Sequence, residues 1–335
     1  MAGNLQVAYS LADFARFRPR PSAVTLGVFD GVHRGHGAII AELLRCRSHG
    51  GIEAAYLITF DPHPVVVTRS RQAPPMLTTI EERLVLLESY PLDGVLVVRF
   101  DREVAGTDYR DFIRTFMLEG LNMRALVLGA SCHFGRGRGG NPESAQAEGR
   151  ARGFEVKVVP PYLIGGAAVS STSIRNALLG GNLDLANRYL GHPYAIAGEV
   201  VKGEGVGASI GFPTANIRVH DPAKLWPGDG VYAVEVKIGG ALHGGMMNVG
   251  TAPTLKGRGR GIEVNIFDFD GSIYGERIAV YCRAYIRGER AFPSVETLAA
   301  QLQWDRETAR ALLAGAREAR EAREAREARE AGDET

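Results

Sequence analysis

The chain has 335 residues, more than a single hydrophobic core usually serves, so its length allows two domains. It is 45% hydrophobic and 23% charged, and 39 basic against 38 acidic residues leave a net charge of +1. That balance argues against a general nucleic-acid or acidic-membrane partner, and no run approaches the roughly eighteen apolar residues of a membrane span. Cys46, Cys132 and Cys282 are few, far apart, odd in number and without zinc spacing. Together with an N-terminus that lacks a signal-type apolar core, they predict reduced thiols and a cytoplasmic protein.

The first strong feature is Thr25 to His36, TLGVFDGVHRGH. Ala23 to Val28 has the length and β-branched content of a buried strand, and Gly35 onward carries apolar residues at helical spacing. His33 and His36 therefore flank a helix N-terminus, where unpaired N–H groups and the positive dipole end favour phosphate. An imidazole there adds a donor as charge develops on a departing pyrophosphate. Gly27, Gly31 and Gly35 let a ligand approach the backbone. Neither G-x-G-x-x-G nor G-x-x-x-x-G-K-[ST] describes this turn, so a dinucleotide dehydrogenase and a P-loop enzyme are not indicated. Taken alone, the two histidines also suit the less specific role of capping a turn.

Further strands are predicted at Ala54 to Phe60, Gly94 to Phe100, Ala125 to Gly129 and Phe154 to Val159. Helices fall between them near 36 to 48, 79 to 89, 108 to 118 and 143 to 152. The alternation predicts an α/β domain with a parallel sheet, whose ligands bind beyond the carboxyl ends of the strands. His33, His36, the FDPHP loop with His63 fixed between Pro62 and Pro64, and the GASCHFGRGRGG loop all fall there. Thr78 with Glu81 reads as a capping box. Val169 to Arg175, VSSTSIR, offers the hydroxyls of Ser170, Ser171 and Thr172 at a helix start, with Arg175 in its first turn and Gly180-Gly181 at its end. A cap plus a guanidinium makes a second anion site, although S-S-T before a helix is by itself an ordinary cap.

After Gly191 strands follow one another without helical crossovers, at Ala195 to Val201, Val231 to Ile238, Leu242 to Asn248, Ile262 to Phe269 and Arg277 to Ile286. This predicts a small antiparallel β-barrel. Its sharpest motif is GFPTAN, Gly211 to Asn216, in which Thr214 and Asn216 point the same way in an extended segment and offer neutral oxygens to magnesium. Helical pattern returns from Ser294. Residues 316 to 330 are five copies of Ala-Arg-Glu, which form a solvent-exposed helical or disordered tail with no apolar face. The domains are thus read as 1–185, 186–310 and a 311–335 tail.

GVFDGVHRGH and VSSTSIR resemble the two phosphate-binding motifs of nucleotidyltransferases. The order GFPTAN, GVYA, NVGT, EVNIFDFDG resembles the riboflavin kinase domain. With FDPHP, PPMLTTIEERLVLLE and FGRGRGG, the chain from about residue 20 to 310 is similar to the bacterial bifunctional riboflavin kinase/FAD synthetase family. The resemblance implies a Rossmann-like adenylyltransferase domain that makes FAD and pyrophosphate from FMN and ATP. It also implies a barrel kinase that makes FMN from riboflavin and ATP with Mg2+. In the first, His33, His36, Ser170, Ser171, Thr172 and Arg175 would align phosphates, with Gly27, Phe29, Asp30, Gly31 and Gly35 on the nucleotide and His63, Pro64 and Phe134 on the flavin. In the second, Glu263 would accept the hydroxyl proton, Gly211, Thr214 and Asn216 would hold ATP and metal under the 203–211 loop, and Arg287 would face the flavin. The partners implied are these small molecules only, for a monomer or weak homo-oligomer.

The chain departs from the family at Ser131 and Cys132, where relatives carry an acidic residue and an aromatic. It departs again at Ala252, where arginine is usual, and before GFPTAN, where Lys202 is the nearest cation. Arg258 and Arg260 are candidate compensations. One surviving activity, or a flavin-binding regulator, is the alternative to two working sites.

Overall fold

The computed structural model describes residues 5–47, 49–68, 73–203, 206–251 and 260–333. The chain divides into two compact units, Met1–Ser171 and Thr172–Thr335.

In the first unit six strands form one parallel sheet: β1 (Gln6–Ala8), β2 (Ser22–Leu26), β3 (Ala54–Asp61), β4 (Gly94–Arg99), β5 (Met123–Gly129) and β6 (Glu155–Val159), in the order β1-β4-β3-β2-β5-β6. Every residue of β2 is buried, and so are the first seven of β3, as a parallel sheet covered on both faces requires. Alternate side chains feed two cores. Ala23, Ala55, Leu57, Val95 and Val127 pack with Ile40, Leu43 and Leu87 of the Arg34–Cys46 and Ile80–Leu87 helices. Val24, Leu26, Ile58, Leu96 and Leu126 pack on Phe14, Phe112, Ile113 and Met117. The chain runs outward from β2 through β3 to β4, then returns to place β5 on the other side of β2, so the topological switch lies between β2 and β5. Thr25 Oγ1 bridges that junction by donating to the Val127 carbonyl at 2.8 Å. The helix expected near 108 to 118 is a short α-turn, Tyr109–Phe112, running into a π-helix, Ile113–Glu119.

A two-stranded hairpin of β7 (Leu163–Ile164) and β8 (Ala167–Ala168) leads to the Ser171–Leu179 helix, followed by Leu183–Leu190. In the second unit, β9 (Tyr194–Val201), β10 (Ala215–Arg218), β11 (Gly230–Ile238), β12 (Ala241–Gly250), β13 (Gly261–Ile266) and β14 (Arg277–Arg287) close an antiparallel barrel in the order β10-β13-β12-β11-β14-β9. Closure leaves no open edge. A single helix, Val295–Asp333, follows. Ala309 is buried against Phe212, Ala233, Met246 and Phe267, with Leu302 and Leu313 packed beside it, so the front of this helix completes the core on one side of the barrel. The Ala-Arg-Glu copies continue the same helix, with an exposed Arg317–Glu321 pair at 2.9 Å. Among the described residues no helix is long and apolar enough to cross a membrane.

Candidate active sites

The chain leaves β2 through a strained turn. Phe29, Gly31 and Val32 all have positive φ, at 53°, 81° and 39°, a region unfavourable for any residue but glycine and most of all for a β-branched one. Asp30 holds the turn in place. Its carboxylate accepts from the Leu77 and Thr78 N–H groups at 3.1 and 3.0 Å and from Thr78 Oγ1 at 3.2 Å, while Thr78 Oγ1 accepts from Gly31 N–H at 3.0 Å. The Asp30 carbonyl accepts from Ser171 Oγ at 3.0 Å, which brings the start of the S-S-T motif against the histidine turn. Asp30 is thus a buried clamp with its carboxylate turned into the protein. Phe29 is likewise turned inward, its buried ring 4.9 Å from that of His36. The N–H of Gly27 is taken by the Ile58 carbonyl at 3.1 Å.

His33 caps the Arg34–Cys46 helix, its Nδ1 accepting from the His36 N–H at 3.3 Å. Because Nδ1 accepts, the neutral ring carries its proton on Nε2. The two rings stack with centroids 3.6 Å apart and planes 15° from parallel. The capping ring and the helix approach closely at Gly35, where a Cβ would meet His33 ring atoms at 3.1 Å and would need that ring to shift by a few tenths of an ångström. Burial, then His33, then Arg83 hold the His36 imidazole well below the usual histidine range. Its Nδ1 is buried without a hydrogen-bond partner among the described residues.

The other residues expected at this site separate. His63 is half-buried, and its Nδ1 accepts from the Val65 N–H at 3.1 Å, capping the short Pro64–Thr68 helix that Pro64 opens. Phe134 is in the core, edge-on to Tyr109 with centroids 6.5 Å apart, so its ring is structural rather than exposed to a ligand. Cys132 packs beside it with Sγ 3.9 Å from the Leu26 carbonyl, and burial pushes its thiol up to about 12. Ser131 and His133 are exposed in that loop. Val169 and Ser170 lead into the Ser171–Leu179 helix, on which Thr172 is exposed and Arg175 buried. The capping box expected from Thr78 and Glu81 is one residue later: Thr79 caps the Ile80–Leu87 helix with Glu82 at its third position, because Thr78 is committed to Asp30.

In the second unit a cavity of about 420 Å³ is lined by Thr214, Glu263, Asn265, Asn248, Arg287 and Glu289 on its polar side and by Phe212, Met246, Met247, Leu298 and Leu302 on its apolar side. Sheet register builds the polar wall, for Glu263 on β13 lies directly opposite Asn216 of β10 and Asn248 of β12. Asn265, two residues further along the same face, donates to the Pro213 carbonyl at 2.7 Å and fixes the GFPTAN segment to the strand bearing Glu263. The Asn216 side chain lies against Gly203, where no Cβ would fit. Gly211 has φ +81°, the conformation its turn demands. Thr214, Asn216 and Glu263 present oxygen donors, the set that suits magnesium. Among the described residues no three His, Cys, Asp or Glu side chains cluster to hold a metal alone. Arg287 lines the cavity but is committed to Asp305 of the C-terminal helix, through Nε at 3.0 Å to both oxygens and Nη2 at 2.6 Å. Arg260 is tied to Asp229 at 2.6 Å and to the Pro227 carbonyl, away from any compensating role at the nucleotide loop. Ala252 and Arg258 lie outside the described residues.

A family model described as FAD synthetase matches residues 16–173, and one described as riboflavin kinase matches residues 190–313. The Escherichia coli (strain K12) bifunctional riboflavin kinase/FMN adenylyltransferase is 38% identical over 288 residues, 86% of this chain and 91% of that protein. The chain belongs to the bifunctional riboflavin kinase/FMN adenylyltransferase family. Within that family, the Listeria monocytogenes protein of the same name is also 38% identical, over 87% of this chain and 92% of its own. A solved structure from Streptococcus pneumoniae, described as a macrolide-efflux protein, superposes with a TM-score of 0.78 at 32% identity, covering 87% of this chain and 94% of that one. The family's two halves correspond to the sheet unit with its histidine turn and the barrel unit with its Glu263 cavity. Reading the motifs missed Arg83, a fully buried guanidinium beneath the histidine turn. Its one sequence signal is a charge at Ile80 + 3 and Leu87 − 4, on the apolar face of its helix.

Proposed function

We propose that the histidine turn and the Glu263 cavity are the two reaction centres of a bifunctional enzyme of flavin cofactor synthesis. The observation that carries this is that each unit has its own built polar site: stacked imidazoles at the switch point of a parallel sheet, and a carboxylate on the wall of a half-apolar cavity. In the barrel, riboflavin's ring system fits the apolar side while its terminal ribityl hydroxyl reaches Glu263. The carboxylate accepts the hydroxyl proton as that oxygen attacks the γ-phosphorus of ATP and ADP leaves. Thr214 and Asn216 would hold magnesium with the ATP phosphates, the ion supplying charge neutralisation when bound. Arg287, held by Asp305 and by the Gly288 carbonyl to which its Nη1 donates at 3.0 Å, would present its guanidinium to the flavin from the cavity wall.

At the sheet, an FMN phosphate oxygen attacks the α-phosphorus of a second ATP and pyrophosphate leaves. The nucleophile is already ionised, so the protein's work is alignment and charge stabilisation. His33 through Nε2–H, His36, the hydroxyls of Ser170, Ser171 and Thr172, and Arg175 would supply donors to the phosphates. Asp30 and Phe29 act behind them by fixing the turn. The three unpaired cysteines fit a cytoplasmic enzyme acting on small molecules as a monomer or weak homo-oligomer.

The test is a chromatographic time course with ATP, magnesium and either riboflavin or FMN. The expected result is FMN then FAD from riboflavin, and FAD with pyrophosphate from FMN. FMN accumulating without FAD would confine chemistry to the barrel, and flavin binding without turnover would remove the proposal.

A further inference from the structure

Arg83 is among the largest fully buried side chains of the described residues, 2% exposed, and its hydrogen bonds place it behind the histidine turn rather than on it. Its Nη1 donates to Thr59 Oγ1 at 3.0 Å and to the Phe60 carbonyl at 3.1 Å, both near the carboxyl end of β3. Thr59 Oγ1 donates in turn to the Val28 carbonyl at 2.9 Å, in the turn that follows β2. One guanidinium thus joins the Ile80–Leu87 helix to the two strand ends whose loops carry His33, His36 and His63. Its Nε is buried without a partner among the described residues, as is His36 Nδ1. Packing alone does not explain a buried cation with an unsatisfied donor, since leaving such a donor unpaired carries its full desolvation cost.

We propose that Arg83 is a positioning residue for adenylyl transfer: its buried guanidinium, held on Thr59 and Phe60, locks the β2 and β3 loops in register and places a fixed positive charge behind the histidine turn. The inference rests on the reading of the histidine turn as the transfer site. The charged and titratable groups acting on His36 are His33 from its own turn and Arg83 from the neighbouring helix. Burial pushes the Arg83 guanidinium below its ordinary value, and Asp30 and Asp61 oppose that by favouring its charged form. Burial first, then His33 and Arg83, oppose a charge on the imidazole, so His36 enters the reaction neutral, able to donate one proton to a phosphate oxygen without drawing a counter-charge into the core.

The test compares Arg83→Lys, Arg83→Met and Thr59→Val in the full chain, following FAD formation from FMN against pH, with thermal unfolding to confirm folding and riboflavin phosphorylation as the internal control. In Arg83→Met one of the three influences that depress the His36 imidazole is removed while its burial and His33 remain, so the acid limb of adenylyl transfer should move to higher pH. Arg83→Lys should keep the native limb and lose activity only several-fold. Thr59→Val should lower kcat several-fold with the limb unmoved, because it breaks the loop lock and leaves the charge. Riboflavin kinase activity should be native in all three. A limb that stays in place in Arg83→Met, a Lys variant as impaired as the Met variant, or a Thr59→Val chain with native kcat would each overturn the proposal. If the Met variant does not fold, the Lys and Val chains decide by the same criteria. Absence of adenylyl transfer in the native chain would instead sink the underlying assignment of the site.

Discussion

His36 shows how a single residue's environment sets the working range of a site. Its imidazole is held well below 6.5 by burial first, then by His33 and Arg83. The sign follows directly: a base whose folded pKa is depressed stays neutral as pH falls through 6.5, while the unfolded chain takes up the proton. Adenylyl transfer should therefore keep its rate from pH 7.5 down to about 6.5 and fall only below that, and the stability contributed by neutral His36 should begin to erode below about pH 6.5. A stopped assay of FAD formation from FMN across this range checks the first point, and an acid limb centred at or above 6.5 would contradict it. The residue types of the proposed phosphate site stand out in the sequence, but their orientations do not. Phe29, Asp30 and Phe134 stand in motif positions, yet the first and last are core rings and the second is an inward clamp. Which way a side chain turns depends on partners far away in sequence, such as Leu77 and Thr78 for Asp30, and no local pattern encodes those.

At the scale of elements, periodicity located the long strands and helices because burial enforces it: a fully buried β2 and an alternating β9 leave distinct traces. It missed β1, whose three residues are too few to show a period, and β10, whose residues read as part of the GFPTAN turn. The C-terminal helix was legible as a helix but not as a wall of the kinase cavity, because that depends on the Arg287–Asp305 pair. Asp305 is wholly buried, accepts from Arg287 at 2.6 Å and from Gln301 Nε2 at 2.7 Å, and anchors the helix that contributes Leu298 and Leu302 to the cavity. Removing one partner of a buried pair leaves an uncompensated charge and costs about 3–5 kcal/mol. Asp305→Ala should lower the melting temperature and raise KM for riboflavin more than it lowers kcat, since Arg287 loses its orientation while Glu263 is untouched. FAD formation from FMN should stay native. A variant with unchanged riboflavin KM would show the pair to be a structural tie alone.

For the whole molecule, the change from alternating strand and helix to consecutive strands announced two architectures, and the two family matches fall on either side of it. The two proposed reaction centres share no residue, so the two activities should separate cleanly by mutation. Glu263→Gln removes the proposed proton acceptor and should lower riboflavin phosphorylation by about 10²–10⁴-fold while sparing FAD formation from FMN. His36→Asn should do the reverse. The informative experiment mixes the two variants. Neither alone converts riboflavin to FAD at a useful rate, but FMN released by the His36→Asn chain is a free substrate for the Glu263→Gln chain, so the mixture should make FAD after a lag in which FMN accumulates. The lag should shorten as total enzyme rises, because FMN must build towards the KM of the transferase. A mixture that yields FMN but no FAD, with each variant's remaining activity intact, would show that FMN is not exchanged between chains and that the two reactions must occur within one.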